Sequence, residues 1–148
     1  NAINPHCQNP APKQVWKRSM ILLNRGLWIA LGLAGLIAVG IGAYGAHAAG
    51  FDAIAHERFA TALLYHLVHL ASIAAALVVS GRNPARLATA SAILFLIGIM
   101  LFSGSLYASA FTAGATPTLL APYGGMSFML GWLALGIAGA RSVGRKNQ

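Results

Sequence analysis

The side chains best suited to chemistry lie inside one long apolar stretch, residues 59–79, with the sequence FATALLYHLVHLASIAAALVV. A phenol and two imidazoles, those of Tyr65, His66 and His69, can exchange hydrogen bonds and protons or ligate a metal. In a helix, one polar stripe forms at spacings of four, four and three residues: Thr61, Tyr65, His69 and Ser72. Because lipid penalises such a stripe, we expect it to face other helices.

Cofactor or metal chemistry would need partners for these histidines. Two axial haem histidines face each other at matched depth, and His47 would lie roughly 15 Å shallower than His69. One chain therefore does not easily form a haem site, although a symmetric dimer that pairs His69 with its copy would. His66 and His69 are three residues apart, but no Cys, Asp or Glu lies near them in the apolar stretch. The sequence predicts neither a cofactor nor a metal site.

Catalysis has equally little support in the sequence. Ser103 lies in FSGSLY, which lacks the G-x-S-x-G motif of hydrolases and has no aspartate nearby. Proton or ion transport normally uses charged residues inside the membrane, and the apolar segments contain no Asp, Glu, Lys or Arg. We therefore expect the protein not to be an enzyme.

The composition is typical of a membrane protein. Of the 148 residues, 57% are hydrophobic and only 8% are charged, whereas a soluble domain has about 25% charged residues. The formal net charge of +8 does not indicate nucleic-acid binding, because the basic residues flank apolar segments. The single cysteine, Cys7, cannot form an intrachain disulfide.

Four apolar segments have to position the polar side chains. Each has about the twenty residues that cross roughly 30 Å of hydrocarbon. They are residues 27–46, 59–79, 87–107 and 123–140. The predicted fold is all-α: an integral membrane bundle of four antiparallel transmembrane helices over residues 27–140. Basic tails flank this domain at residues 1–26 and 141–148.

The connections carry weaker signals. Asp52 is a predicted N-cap for a helix that runs into the second segment. Asn83 and Pro84 predict a turn between the second and third segments. Residues 108–122 hold no charge and two prolines, which favours a loop or a partly re-entrant hairpin.

Charge asymmetry predicts the orientation. Nine of the ten basic residues precede the first segment, lie between the second and third, or follow the fourth. Only Arg58 lies in the other connections, near Asp52 and Glu57. Because cytoplasmic loops are enriched in Lys and Arg, both termini are predicted to be cytoplasmic.

In this orientation, polar residues from all four segments fall in the outer half of the bundle. Five of them form a candidate ligand site: Tyr65, His69, Ser103, Tyr107 and His47. Such a pocket would bind a lipid head group, a quinone or a small solute. The alternative, which the sequence favours, is hydrogen bonding between helices, because no carboxylate or lysine accompanies the group.

Glycines form two further candidate surfaces. Gly32, Gly35 and Gly42 share a face of the first segment, and Gly131 and Gly136 lie along the fourth. Small residues let helix backbones approach closely. We predict that at least one of these faces contacts a second copy or a larger membrane complex.

Four motifs resemble the YgdD-like family of uncharacterised small membrane proteins. They are GAYGAH (42–47), YHLVHLA (65–71), LFSGSLY (101–107) and PYGGMSFMLGW (122–132). His69 matches the histidine of that family, whereas the family usually has glutamine at the position of His66. The resemblance implies a four-helix protein of the bacterial inner membrane and supplies no reaction.

Two functions follow as hypotheses. The first is a structural or accessory protein that associates through its glycine faces with itself or with a larger complex. The second is a binder of lipid, quinone or small solute, or a channel, that uses the outer polar group. Membrane lipids are expected partners in both, and nucleic acid in neither.

Overall fold

The computed structural model describes residues 12–47, 50–82 and 86–144. Within those ranges the regular structure is helical and contains no strand. The helices are α1 (Pro12–His47), α2 (Ala53–Arg82), α3 (Arg86–Gly98), α4 (Gly104–Phe111) and α5 (Ala121–Gly144). A five-residue π-helix, Ile99–Ser103, joins α3 to α4 and is called the π turn below.

Four helical stretches are long and apolar enough to cross a membrane, which confirms the predicted all-α, four-span fold. They are Arg18–His47, Ala53–Gly81, Arg86–Phe111 and Ala121–Val143. The third stretch consists of α3, the π turn and α4 in direct succession.

The helices extend beyond the predicted spans. α1 begins at Pro12, so part of the predicted basic tail is helical. The guanidinium of Arg86 lies 4.3 Å from the centre of the Trp16 ring, a cation–π contact that holds this extension against α3. The predicted turn at Asn83 and Pro84 lies outside the described residues, as do residues 1–11 and 145–148.

Local interactions determine where α2 begins and where α4 ends. The backbone N–H of Ala55 donates to Asp52 Oδ1 at 2.7 Å, which confirms the predicted N-cap of α2. At the end of α4, Ala113 and Gly114 have positive φ angles of 49° and 85°, and the N–H of Gly114 bonds to Ser109 O. This left-handed ending stops the helix, so the predicted loop begins later than residue 108.

The hydrophobic core lies between α2, the third span and α5. α5 packs mainly on α3 and the π turn, while α1 packs mainly on α2. The main cluster of buried side chains centres on Ile73, Leu77, Phe95 and Phe128. α1 is the least buried of the four spans, so one side of the bundle is held by a single peripheral helix.

Three helices are tied together by side chains at one end of the bundle. Asn24 Nδ2 donates to Ser80 Oγ at 3.0 Å, and Thr89 Oγ1 donates to Asn24 Oδ1 at 3.2 Å. Ser80 and Thr89 share a hydrogen bond of 2.8 Å. This ring, called the Asn24 ring, fixes α1 against α2 and α3.

Candidate ligand-binding cleft

His69 is fully occupied by protein contacts. Its Nδ1 lies 2.7 Å from the carbonyl oxygen of Tyr65, and its Nε2 accepts a hydrogen bond of 3.3 Å from Trp132 Nε1. Both bonds are satisfied together when the ring proton is on Nδ1. Its ring also stacks on Phe128 with 3.5 Å between centroids. This predicted site residue therefore acts as a packing group between α2 and α5.

The polar stripe contacts other helices at Tyr65 and His69. His69 and Ser72 are buried, and Ser72 Oγ donates to the carbonyl of Val68. Tyr65 is 40% exposed, but its ring contacts the third span and α5, as predicted. Its ring packs against Phe102 at 4.6 Å between centroids, beside the contact between α2 and α5, and this leaves the ring partly uncovered.

His66, on another side of α2, has the opposite environment. It is only 3% exposed, yet neither ring nitrogen has a hydrogen-bond partner in the described protein. Tyr107 is 7% exposed, and its hydroxyl is also unpartnered there. The two ring centroids lie 6.2 Å apart. Ser103, fully buried on the π turn, has the second hydroxyl without a partner among the described residues.

His66 and Tyr107 line a cavity of about 570 Å³ between α1 and the third span. We call it the lateral cleft. α1 contributes one wall, and Leu96, Ile99, Met100 and Gly104 belong to the other. The full lining is Ala30, Leu33, Ala34, Ile37, Ile41, His66, Leu96, Ile99, Met100, Gly104 and Tyr107. His66 and Tyr107 are thus its polar side chains, and the described lining contains no charged one.

The π turn contributes to this wall. The backbone N–H of Gly104 bonds to the carbonyl of Ile99, five residues earlier, instead of four. The turn places Ile99 and Met100 in the lining of the cleft and buries Ser103. Single π turns inside α-helices occur frequently at functional sites.

The five residues of the predicted ligand site therefore separate. Tyr65 and His69 remain together beside α5, whereas Tyr107 lies at the lateral cleft with Ser103 four residues earlier on the same span. His47 lines a different cavity of about 710 Å³ where α1 and α4 end, with Tyr44, Asp52 and Phe111. The structure does not bring His47 to the other four.

Sequence reasoning missed His66 as a site residue. It lies off the polar stripe that the helical spacing predicts. The available signal was its depth: a second histidine in the middle of an apolar helix needs a partner, and no residue of the stripe could supply one.

The predicted glycine faces are divided between internal and open positions. A Cβ atom at Gly131 would lie 2.7 Å from Phe95 Cε1, and one at Gly42 would lie 3.4 Å from Leu63 Cδ2. Gly35 approaches Leu70 at 4.0 Å. Gly32 and Gly136 have no described neighbour within 4 Å of the same position. Three of the five glycines therefore serve packing inside this chain.

The fold and the cleft define a multi-pass α-helical membrane protein with an apolar site between its spans. The chain belongs to the family described as Protein of unknown function (DUF423), whose model matches residues 41–125. This result confirms the resemblance found in the four motifs.

This chain aligns with nearly the whole length of several similar proteins. A UPF0382 membrane protein of Haemophilus influenzae is 36% identical over 112 residues, which are 74% of this chain and 90% of that protein. The UPF0382 inner membrane protein YgdD of Escherichia coli is 32% identical over 127 residues, 84% of this chain and 96% of YgdD. A UPF0382 membrane protein of Staphylococcus haemolyticus is 35% identical over 123 residues, with 80% and 98% covered. No solved structure matches the chain.

Proposed function

We propose that this protein is a non-catalytic membrane binding protein that takes a ligand from the lipid phase into the lateral cleft. The observation that carries the proposal is the pair His66 and Tyr107, both more than nine-tenths buried and both unpartnered at an apolar cavity. A buried polar group without a hydrogen bond costs about 1–3 kcal/mol. These polar atoms are covered in the ligand-free structure, so a ligand that supplies the missing hydrogen bonds would have to turn the two side chains toward the cleft, and it would then recover part of that free energy.

Access from the lipid phase is supported by the position of the cleft. Its lining includes side chains that are largely exposed on the flank of the bundle, among them Met100, which is 74% exposed, and Leu33. A flank between two spans faces acyl chains in a bilayer. An apolar ligand would therefore enter sideways, without passing through water.

Binding without catalysis is supported by the chemistry of the lining. Its polar groups are one imidazole and one phenol, and the described lining has no carboxylate, ammonium or thiol. Acid–base or covalent catalysis generally requires a partner that orients and activates such a group. The arrangement supplies hydrogen bonds and shape instead.

Native mass spectrometry of gently extracted protein tests this proposal. The wild type should carry a bound molecule, and Ala34→Trp, which fills the cleft, should lose it. Leu36→Trp is the matched control, because Leu36 is on the same helix, is highly exposed and lies outside the lining. A wild type without any bound molecule, or equal retention by Ala34→Trp, would reject the lateral cleft as a binding site.

Association through glycine faces is the second candidate. It is supported by the open positions of Gly32 and Gly136 and by the large uncovered area of α1. In this function the protein is an accessory subunit of a larger membrane complex or a homo-oligomer. Gly32→Leu or Gly136→Leu should then leave a folded protein that migrates alone on native gels. A wild type that already migrates alone would rule this candidate out.

A further inference from the structure

We propose that the ligand of the lateral cleft is a neutral, membrane-soluble molecule with a carbonyl or hydroxyl oxygen at one end and an aliphatic body. This is the chemistry shared by quinones with aliphatic tails and by isoprenoid alcohols. The inference rests on the proposed function, because it names the class of molecule that the same site binds.

The hydrogen-bonding capacity of the site indicates an oxygen-bearing head. A neutral imidazole provides one donor and one acceptor, and a phenol hydroxyl can do both. The ring centroids of His66 and Tyr107 lie 6.2 Å apart, so one compact head can contact both side chains once their covered polar atoms turn toward the cleft. A carbonyl would accept from the two donors, and a hydroxyl would both donate and accept. A metal ion is less suitable, because the described residues contain no group of three His, Cys, Asp or Glu side chains.

Depth and charge indicate that the head is neutral. His66 lies thirteen residues after the start of α2 at Ala53 and sixteen before its end at Arg82, or about 20 Å and 24 Å along the helix. This places it in the central part of the span. A phosphate or an ammonium group at that depth would need a charged partner, and the described lining offers none.

The remaining lining indicates an aliphatic body. Apart from His66 and Tyr107, it consists of alanine, leucine, isoleucine, methionine and glycine. The cavity of about 570 Å³ lies within the range of about 300–1,000 Å³ that small-molecule sites have. A longer tail can continue into the bilayer through the open flank. A phospholipid acyl chain would fill the same volume but would leave both polar side chains unpaired.

Binding of three probes to purified protein in lipid nanodiscs tests the inference. Decylubiquinone represents the quinones, farnesol the isoprenoid alcohols, and farnesane an aliphatic body without oxygen. The measurement is displacement of the bound molecule, followed by native mass spectrometry. We expect decylubiquinone or farnesol to compete, and the stronger of the two identifies the source of the oxygen. Farnesane should compete at least tenfold more weakly than that probe.

Two variants locate the hydrogen bonds. Tyr107→Phe removes one oxygen and keeps the ring, so it should weaken binding of the oxygenated probe by about three- to tenfold. His66→Leu should weaken it at least as much. Tyr44→Phe is the matched control for the phenol, because Tyr44 lines the other cavity, and it should leave binding unchanged. If His66→Leu does not fold, Tyr107→Phe still provides the test.

The outcomes separate the ligand class from the site itself. If farnesane competes as well as the oxygenated probes, and Tyr107→Phe binds all three like the wild type, the inference is overturned while the cleft remains a binding site. The same conclusion follows if the molecule that Ala34→Trp loses is a phospholipid that Tyr107→Phe retains. If neither the native molecule nor any probe binds the wild type, the proposed function fails together with the inference.

Discussion

Two buried histidines on different sides of helix α2 have contrasting environments. His66 and His69 are three residues apart and almost equally buried, at 3% and 4% exposure. On the side of α5, His69 has two hydrogen bonds and a stacked phenylalanine. On the side of α1, His66 has no partner in the described protein and borders the lateral cleft.

The difference lies in what the neighbouring helices contribute. Between α3 and α5, each helix places a phenyl ring on a glycine of the other: Phe128 on Gly98 and Phe95 on Gly131. These close approaches leave no room beside His69. On the other side, α1 presents alanine and aliphatic side chains, and a cavity remains. The same residue type at similar depth therefore acts as a packing group or as an available ligand contact according to its neighbours.

The largest loss of stability is expected from disrupting the packing of α5 on α3. Gly131→Leu places atoms inside the contact with Phe95, so it should prevent folding or lower the free energy of unfolding by about 1–3 kcal/mol or more. Gly136→Leu, on the same helix with open space, should be close to wild type. Thermal unfolding followed by size-exclusion chromatography in detergent measures both. Equal stability of the two variants would contradict the described packing of α5 on α3.

The next prediction compares the change in stability when each of the two histidines is replaced. His69→Leu leaves Trp132 Nε1 and the Tyr65 carbonyl without their partner, so it should destabilise the protein by about 1–2 kcal/mol. His66→Leu removes an unpaired group, so ligand-free protein should be as stable as the wild type or more stable. Thermal unfolding of delipidated samples provides the comparison. A larger loss for His66→Leu would show that the two environments have been assigned the wrong way round.

A smaller loss of stability is expected when the hydrogen bonds that hold α1 are removed. Ser80→Ala removes hydrogen bonds between helices in the Asn24 ring, and it should destabilise the protein by about 0.6 kcal/mol. Ser142→Ala is the control, because Ser142 donates within its own helix to Gly139. Since α1 forms a wall of the lateral cleft, Ser80→Ala should also weaken binding there. Unchanged stability and binding would mean that the Asn24 ring does not hold α1.

The last prediction concerns the orientation of the bundle in the membrane, and no change in stability is expected from its variants. Single cysteines at Thr118 and Ser142, in a Cys7→Ser background, report which end of the bundle faces outward. The distribution of basic residues predicts labelling of Thr118→Cys from outside intact cells and protection of Ser142→Cys. The reverse pattern would place His47 and its cavity on the cytoplasmic side.

Sequence reasoning reached the four spans and the cap at Asp52, because both depend on local properties: hydropathy over twenty residues and a side chain three positions from its partner. The start of α1 at Pro12 was missed because the residues before the first apolar segment are polar, and the contact of Trp16 with Arg86 joins positions far apart in the sequence. Only part of the candidate site was predicted from the sequence. Tyr107 was named as a site residue, but His66 was not, since helical spacing shows which residues share a face and not which helix covers that face.

The π turn determines the direction in which each side chain after it in the third span faces. One extra residue per turn rotates the rest of a helix by about 100° relative to a continuous α-helix. Tyr107 therefore reaches the lateral cleft because of an insertion that precedes it by a few residues. Deleting one residue within Ile99–Ser103 would keep every side chain of α4 and turn Tyr107 away from His66. A change in helix length, with no change in residue type, would therefore be enough to create or remove one of the two polar contacts.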